Sequence, residues 1–182
     1  RKLLFSTLTQ VASISDESRR RTQSVQAKSK RDQSSQGASR EDWLKSLSIE
    51  QSYQIVDSVN HENYERAFEL LNKTNQFNTT GRRWTKEEMC NFLDTGGKLL
   101  CSFLRDKMVD NGLISVFAYK ENELVQAVLS CRVFGLSSEY ATLHYRTEII
   151  LRKYPAVTGG IVDTGKNFTC HSLFINAGFT RL

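Results

Sequence analysis

The sequence predicts a mixed α/β (α+β) fold in which a largely antiparallel sheet is flanked by helices. Three observations carry this. Strand-like runs at Leu99–Arg105, Leu113–Tyr119 and Leu124–Phe134 follow one another, linked by turn-like Asp110-Asn111-Gly112 and Glu121-Asn122-Glu123, as in an antiparallel meander. Ahead of them, Tyr64, Ala67, Phe68, Leu70 and Leu71 recur at helical spacing. Behind them, a helix over Ser138–Lys153 and an apolar run over Val157–Val162 alternate as helical crossovers require.

Taken in order, the chain begins with a polar stretch from Ser15 to Ser39. Ser15, Asp16 and Glu17 precede Arg19, Arg20 and Arg21, a charge order that suits a short solvated helix. Lys28–Arg40 reads as a flexible linker. Residues 1–40 are therefore expected to form a polar basic arm, and residues 41–182 the folded domain. From Glu41 the texture changes: Trp43, Leu44, Leu47 and Ile49 open an apolar pattern, and Tyr53–Val56 predicts a strand. After the first helix comes the polar block Asn72–Gly81. Thr85 with Glu88 three residues on forms a capping box for a helix through Phe92. The last helix is expected over Asn167–Asn176, stopped by Gly178, with Phe179–Leu182 starting a further strand. No internal repeat is present.

Charge and cysteines exclude several function classes. The net charge is +5, but residues 1–40 hold nine Lys/Arg against three Asp/Glu and residues 41–182 hold sixteen against seventeen. The basic excess lies in the arm, so the body lacks the clustered cations of a nucleic-acid groove. No apolar run approaches the roughly 20 residues that span a bilayer. Leu3, Leu4 and Phe5 are too short an apolar core for a signal peptide, and a start at Arg1 fits a fragment. Cys90, Cys101, Cys131 and Cys170 show no CxxC spacing, which argues against zinc and for free thiols in a reducing cytosol; the expectation is a cytoplasmic chain with no metal. Three glycosylation sequons, at Asn72, Asn78 and Asn167, are read as chance matches.

Several words of the sequence resemble those of one family. Leu71–Asn78 is similar to the signature LxNKTNQFN of FkbH-like proteins. Asp110–Ile114 resembles their GDNGL segment, Ser130–Gly135 their SCRVxG, Thr164–Asn167 their TxKN and Gly178-Phe179 their closing GF. Ser15-Asp16-Glu17 with its Arg cluster, and Asp42–Leu47, are similar as well. The resemblance covers nearly the whole chain. It implies a GNAT-like fold, that of the acyltransferases, lying downstream of a haloacid-dehalogenase-like domain that loads glycerate onto an acyl carrier protein in some members. The nucleophile motif of that domain, DxDx[TV], is absent, so no phosphoryl chemistry is expected here, and residues 1–14 read as a remnant of it.

On this resemblance the chain would handle an acyl thioester carried by CoA or by a carrier-protein phosphopantetheine arm. Its partners would be the acyl carrier protein or the upstream domain. The alternative is a non-catalytic module that docks the carrier protein. Arg132, Val133, Phe134, Gly135, Leu136, Ser137 and Ser138 resemble the GNAT loop [RQ]xxGx[GA], where backbone N–H groups and a helix dipole hold a pyrophosphate. Ser137 replaces the final small residue, Glu139 holds the following acidic position, and Asn167 belongs to the same binding region. The same residues also read as a strand-to-helix turn with a serine N-cap.

Lys73, Asn75, Gln76 and Asn78, with Ser130 facing them, are candidates for the acyl or acceptor pocket; they also read as a helix stop whose amides satisfy orphan backbone groups. Cys131 is a weak candidate nucleophile. Placed in an apolar strand it would be a small hydrophobe, and nothing in the sequence brings His144 or His171 near it. Finally, Phe174 stands where GNAT proteins often keep a tyrosine that protonates the departing thiolate. Phe has no proton to give, so acetyl transfer to simple amines is expected to be slight.

Overall fold

A computed structural model describes residues 23, 26–31, 37 and 39–181. The expectation of a helix near Ser15–Arg21 lies outside them. Among the described residues no helix is long and apolar enough to cross a membrane.

The body is a mixed α/β structure built on one sheet of five strands in the order β1-β2-β3-β4-β5. Helix α1 (Arg40–Ser46) leads into β1 (Glu50–Val56). Helices α2 (Tyr64–Lys73) and α3 (Lys86–Asp94) follow, then the meander β2 (Lys98–Arg105), β3 (Asp110–Lys120) and β4 (Glu123–Leu129). A short 3-10 turn (Cys131–Val133) precedes α4 (Ser138–Leu151), β5 (Thr158–Gly159), a second 3-10 turn (Phe168–Cys170) and α5 (Leu173–Asn176). The first four strands pair antiparallel, and β5 pairs parallel to β4. This is the expected architecture, consistent with a GNAT-like sheet.

Period-two alternation along the strands divides the core into two. On one face Val56, Leu99, Cys101, Val116, Ala118 and Val128 meet Ala67, Leu70 and Leu71 of α2 and Met89 and Leu93 of α3. On the other, Leu100, Leu104, Phe117, Tyr119, Ala127 and Leu129 meet Leu47, Leu143 of α4 and Leu173 and Phe174 of α5. Each fully buried side chain of this kind contributes about 1.5–3 kcal/mol. The capping box of α3 forms as expected: Glu88 N–H donates to Thr85 Oγ1 (3.1 Å) and Thr85 N–H to Glu88 Oε2 (2.8 Å).

Five expectations need correction. First, β4 stops at Leu129 rather than Phe134. Ser130 N–H donates to Ile114 O, and Val133 N–H turns back to Ser130 O, which tucks Val133 into the core. Second, Asp110-Asn111-Gly112 is not a turn but the start of β3, where the pairing slips between Leu104↔Gly112 and Arg105↔Asp110 and leaves Asn111 as the extra residue. The turn lies at 106–109, held by Asp106 Oδ1, which accepts from Met108 N–H (2.7 Å) and Val109 N–H (3.2 Å).

Third, Val157–Val162 contributes only the two residues of β5, because the edge of β4 beyond Leu124 is taken by another segment. Fourth, the last helix is broken: Asn167 is anchored by its side chain to the Asn78 and Val162 carbonyls, and the chain winds tightly from there before α5 begins. Gly178 does close α5, with φ +88°, and Phe179 N–H donates to Phe174 O. Residues 179–181 therefore continue as irregular chain past the helix stop and not as a strand. Fifth, residues 28–31 are not linker-like: 26–31 are helical and Arg31 is buried, its guanidinium 3.3 Å from Asp106 Oδ2.

Candidate functional site

The strand β4 and the chain of β5 run side by side only at Glu123↔Thr158 and Leu124↔Gly159, then part. The opening between them is filled by the segment Phe77–Thr79. Leu129 N–H donates to Phe77 O, Thr79 N–H to Ala127 O, and Asn78 bridges Val128 in antiparallel sense. On its other side Thr79 O accepts from Val162 N–H (2.8 Å). The amide block thus continues the sheet where the two strands diverge.

Buried amides hold the block in place. Asn78 has no solvent exposure; its Nδ2 donates to Thr74 O, and its Oδ1 accepts from Thr80 N–H, Gly81 N–H and Gln126 Nε2 (2.7 Å). Gln126, equally buried, accepts from Trp84 Nε1 (2.6 Å) and donates to Arg82 O. Asn167, also without exposure, donates to Asn78 O and Val162 O and accepts from Thr164 N–H. Asn78 and Asn167 therefore do not face an open pocket; both serve the frame of the site.

The remaining candidates of the block lie outside it. Asn75 accepts from Arg83, Lys73 pairs with Glu69, and the backbone oxygen of Gln76 accepts from Thr169 Oγ1; all three side chains are exposed. Gln126 and Thr79 were missed in the sequence because an isolated glutamine in an apolar strand and a threonine in a polar run carry no local signal.

The loop from Ser130 to Ser138 leaves β4 and enters α4, the longest helix of the domain. Gly135 and Ser137 both sit in the left-handed region, at φ +88° and +59°. Ser137 holds the N-cap position, yet its side chain makes no cap hydrogen bond; instead its Oγ accepts from Arg40 Nη2 (3.0 Å). A Cβ on Gly135 would meet nothing within 4 Å, so that face of the loop is open. Val133, Leu136 and Ser138 are buried and anchor the loop, whereas Arg132, Phe134 and Ser130 are half-buried.

Cations from the start of the chain surround this loop. Lys28 Nζ donates to Cys131 O (3.1 Å), Arg31 Nη2 to Arg132 O and Arg40 Nη2 to Gly135 O. In the first turn of α4, burial pushes the Glu139 carboxyl above the usual range, opposed by its own backbone N–H and by nearby Arg40.

Cys131 lies in the exposed 3-10 turn, which corrects its expected place within an apolar strand. Neither histidine partners it: His144 lies by Glu148, and His171 by Asn167 and Asp163. Cys101 and Cys170 are buried, and burial pushes the Cys101 thiol up to about 12. Iodoacetamide should alkylate Cys131 in the folded chain long before Cys101 or Cys170, as peptide mapping by mass spectrometry would show. Equal rates at Cys101 would contradict its burial.

Phe174, expected at the acid position, is a core residue. Its ring lies against Gly159, where an added Cβ would come within 2.6 Å of it, and against Phe179 at 5.2 Å between centroids. Compared with family models, curated proteins and solved structures, the chain finds no match.

Proposed function

We propose that this chain is an acyltransferase-like domain that holds an acyl thioester by its phosphate, on CoA or on a carrier-protein phosphopantetheine arm, at the loop Arg132–Ser138. One observation carries the reading: the loop from β4 delivers the first turn of α4 with its N–H groups uncapped by Ser137, beside the open face of Gly135 and next to Arg40, which bonds Ser137 Oγ and the Gly135 carbonyl. Uncapped helical N–H groups and a cation favour a phosphate together. The parting of β4 from β5, next to that loop, fits the same reading.

A second reading, a non-catalytic module that docks a carrier protein, is favoured by two further observations. Phe77–Thr79 fill the opening between the strands, and the place of the thiolate acid is a packed phenylalanine. Both readings share the phosphate site and differ only in turnover.

Calorimetry with CoA and with 4′-phosphopantetheine tests the shared site. Both should bind, and pantetheine without its phosphate should not. Arg40→Ala should weaken binding about tenfold, the usual worth of one charge-assisted hydrogen bond. Gly135→Val would confound blocking with backbone strain at φ +88°; Gly135→Asn tolerates that conformation and should still weaken binding. Unchanged affinity in both variants would rule the site out. Acetylation of polyamines or peptides by the unmodified chain at about 1 s⁻¹ or faster would contradict the docking reading.

A further inference from the structure

A separate cleft of about 800 Å³ opens at the end of the sheet where β1 and β3 begin and β2 ends, bordered by α2. Asn111 lines it. This residue is the extra one at the slip in β2–β3 pairing, and slips of this kind re-aim a side chain. It is 3% exposed, and neither its Oδ1 nor its Nδ2 has a hydrogen-bond partner in the protein. Buried amides are nearly always paired, so an orphaned one in the wall of a cleft calls for a ligand or a bound water.

The surroundings narrow the chemistry. The charged groups that line the cleft are engaged with other groups of the protein: Glu50 with Arg105, Arg66 with Glu69, Arg132 with Leu113 O, and Asp110 with Gly112 N–H. Glu50 and Asp110, with Glu69 on Arg66, balance Arg66, Arg105 and Arg132, so the lining carries no net charge to select an ionic ligand. Beside them stand Ser52 and the hydrogen-bonded pair Asn63 and Gln54, with the half-buried ring of Phe103 as an apolar platform.

A carboxamide offers one donor and one acceptor side by side, which two adjacent hydroxyls satisfy at once, each hydroxyl being both donor and acceptor. The C–H face of a sugar ring matches an aromatic platform. We propose that this cleft binds a neutral carbohydrate, with Asn111 bonded to a pair of adjacent hydroxyls and Phe103 beneath the ring. The proposal is independent of the thioester reading, since the cleft and the Gly135 loop share only Arg132 among their lining residues.

Saturation-transfer NMR on the full chain with glucose, galactose, N-acetylglucosamine and maltotriose at millimolar concentration tests it. At least one sugar should receive saturation, and Asn111→Leu should abolish the transfer. The same substitution removes an unsatisfied buried amide, so its melting temperature should rise by a few degrees rather than fall. Phe103→Leu keeps the bulk of the floor without its ring, and should weaken the sugar signal several-fold in a chain that still melts cooperatively. Silence from all four sugars, a response to short neutral peptides but not to sugars, or a clear loss of stability in Asn111→Leu would each overturn the proposal.

Discussion

Replacing Asn78 by alanine is expected to lower stability by about 3–5 kcal/mol. One side chain joins four groups there: it donates to Thr74 O and accepts from Thr80 N–H, Gly81 N–H and Gln126 Nε2, all without access to solvent at Asn78 itself. Each buried partner left unsatisfied costs about 1–3 kcal/mol, discounted because Gln126 keeps Arg82 O. In a domain of this size that is a fall of about 10 °C in melting temperature. The backbone consequence is sharper. Without the Asn78 amide the Phe77–Thr79 segment keeps its backbone bonds to β4 but loses its side-chain tie to Gln126, so hydrogen exchange at Leu129 and Thr79 should accelerate more than at β2 or β3. A variant that melts within a degree or two of the parent would show that the amides are incidental to the block's position.

Asp106→Ala is the second large effect, expected at about 3 kcal/mol. Its carboxylate faces the buried guanidinium of Arg31 and also accepts the two N–H groups of the 106–109 turn. Removing one partner of a buried ion pair leaves a charge in an apolar place, which typically costs about 3–5 kcal/mol unless the charge can escape to water. Arg31 has such an escape, because releasing the helical segment 26–31 from the body would rehydrate it. The expected signature is therefore twofold: a lower melting temperature, and lost amide protection over residues 26–31. In a double-mutant cycle with Arg31→Leu, a coupling of about 1 kcal/mol or more should remain. Additive effects within about 0.5 kcal/mol would mean that the pair does not hold the segment.

Much of the fold was legible because the relevant signals are local. The Thr85–Glu88 box, the Gly178 stop and the helical spacing from Tyr64 to Leu71 each depend on residues a turn apart, and each holds. What escaped depends on pairing across the chain. The end of β4 is set by Phe77 and Ile114, far away in sequence, so the apolar run to Phe134 read as one strand. Asp110-Asn111-Gly112 has the composition of a turn, yet the hairpin closes earlier because Asp106 organises 106–109, and Asn111 instead becomes the extra residue at the slip in register.

At the site, the change of direction from Gly135 to Ser138 ahead of α4 was legible from its glycine and serines, whereas Arg132–Phe134 read as strand and lie in and after a 3-10 turn. The block Lys73–Asn78 shows the opposite lesson. Its amides were rich enough to suggest a pocket, but richness in donors and acceptors equally describes a segment that must be sutured into a sheet. Only the burial of Asn78 and its bond to Gln126 decide between them.

Amide shifts report most directly on the proposed seat of a phosphate-bearing thioester arm at the start of α4. Titrating 4′-phosphopantetheine into nitrogen-15-labelled chain should shift the N–H resonances of Gly135, Ser137, Ser138 and Glu139 together, saturably, and leave those of Asn78 and Thr79 nearly still. Shifts confined to other parts of the sheet, or none at millimolar ligand, would contradict phosphate binding at the start of α4.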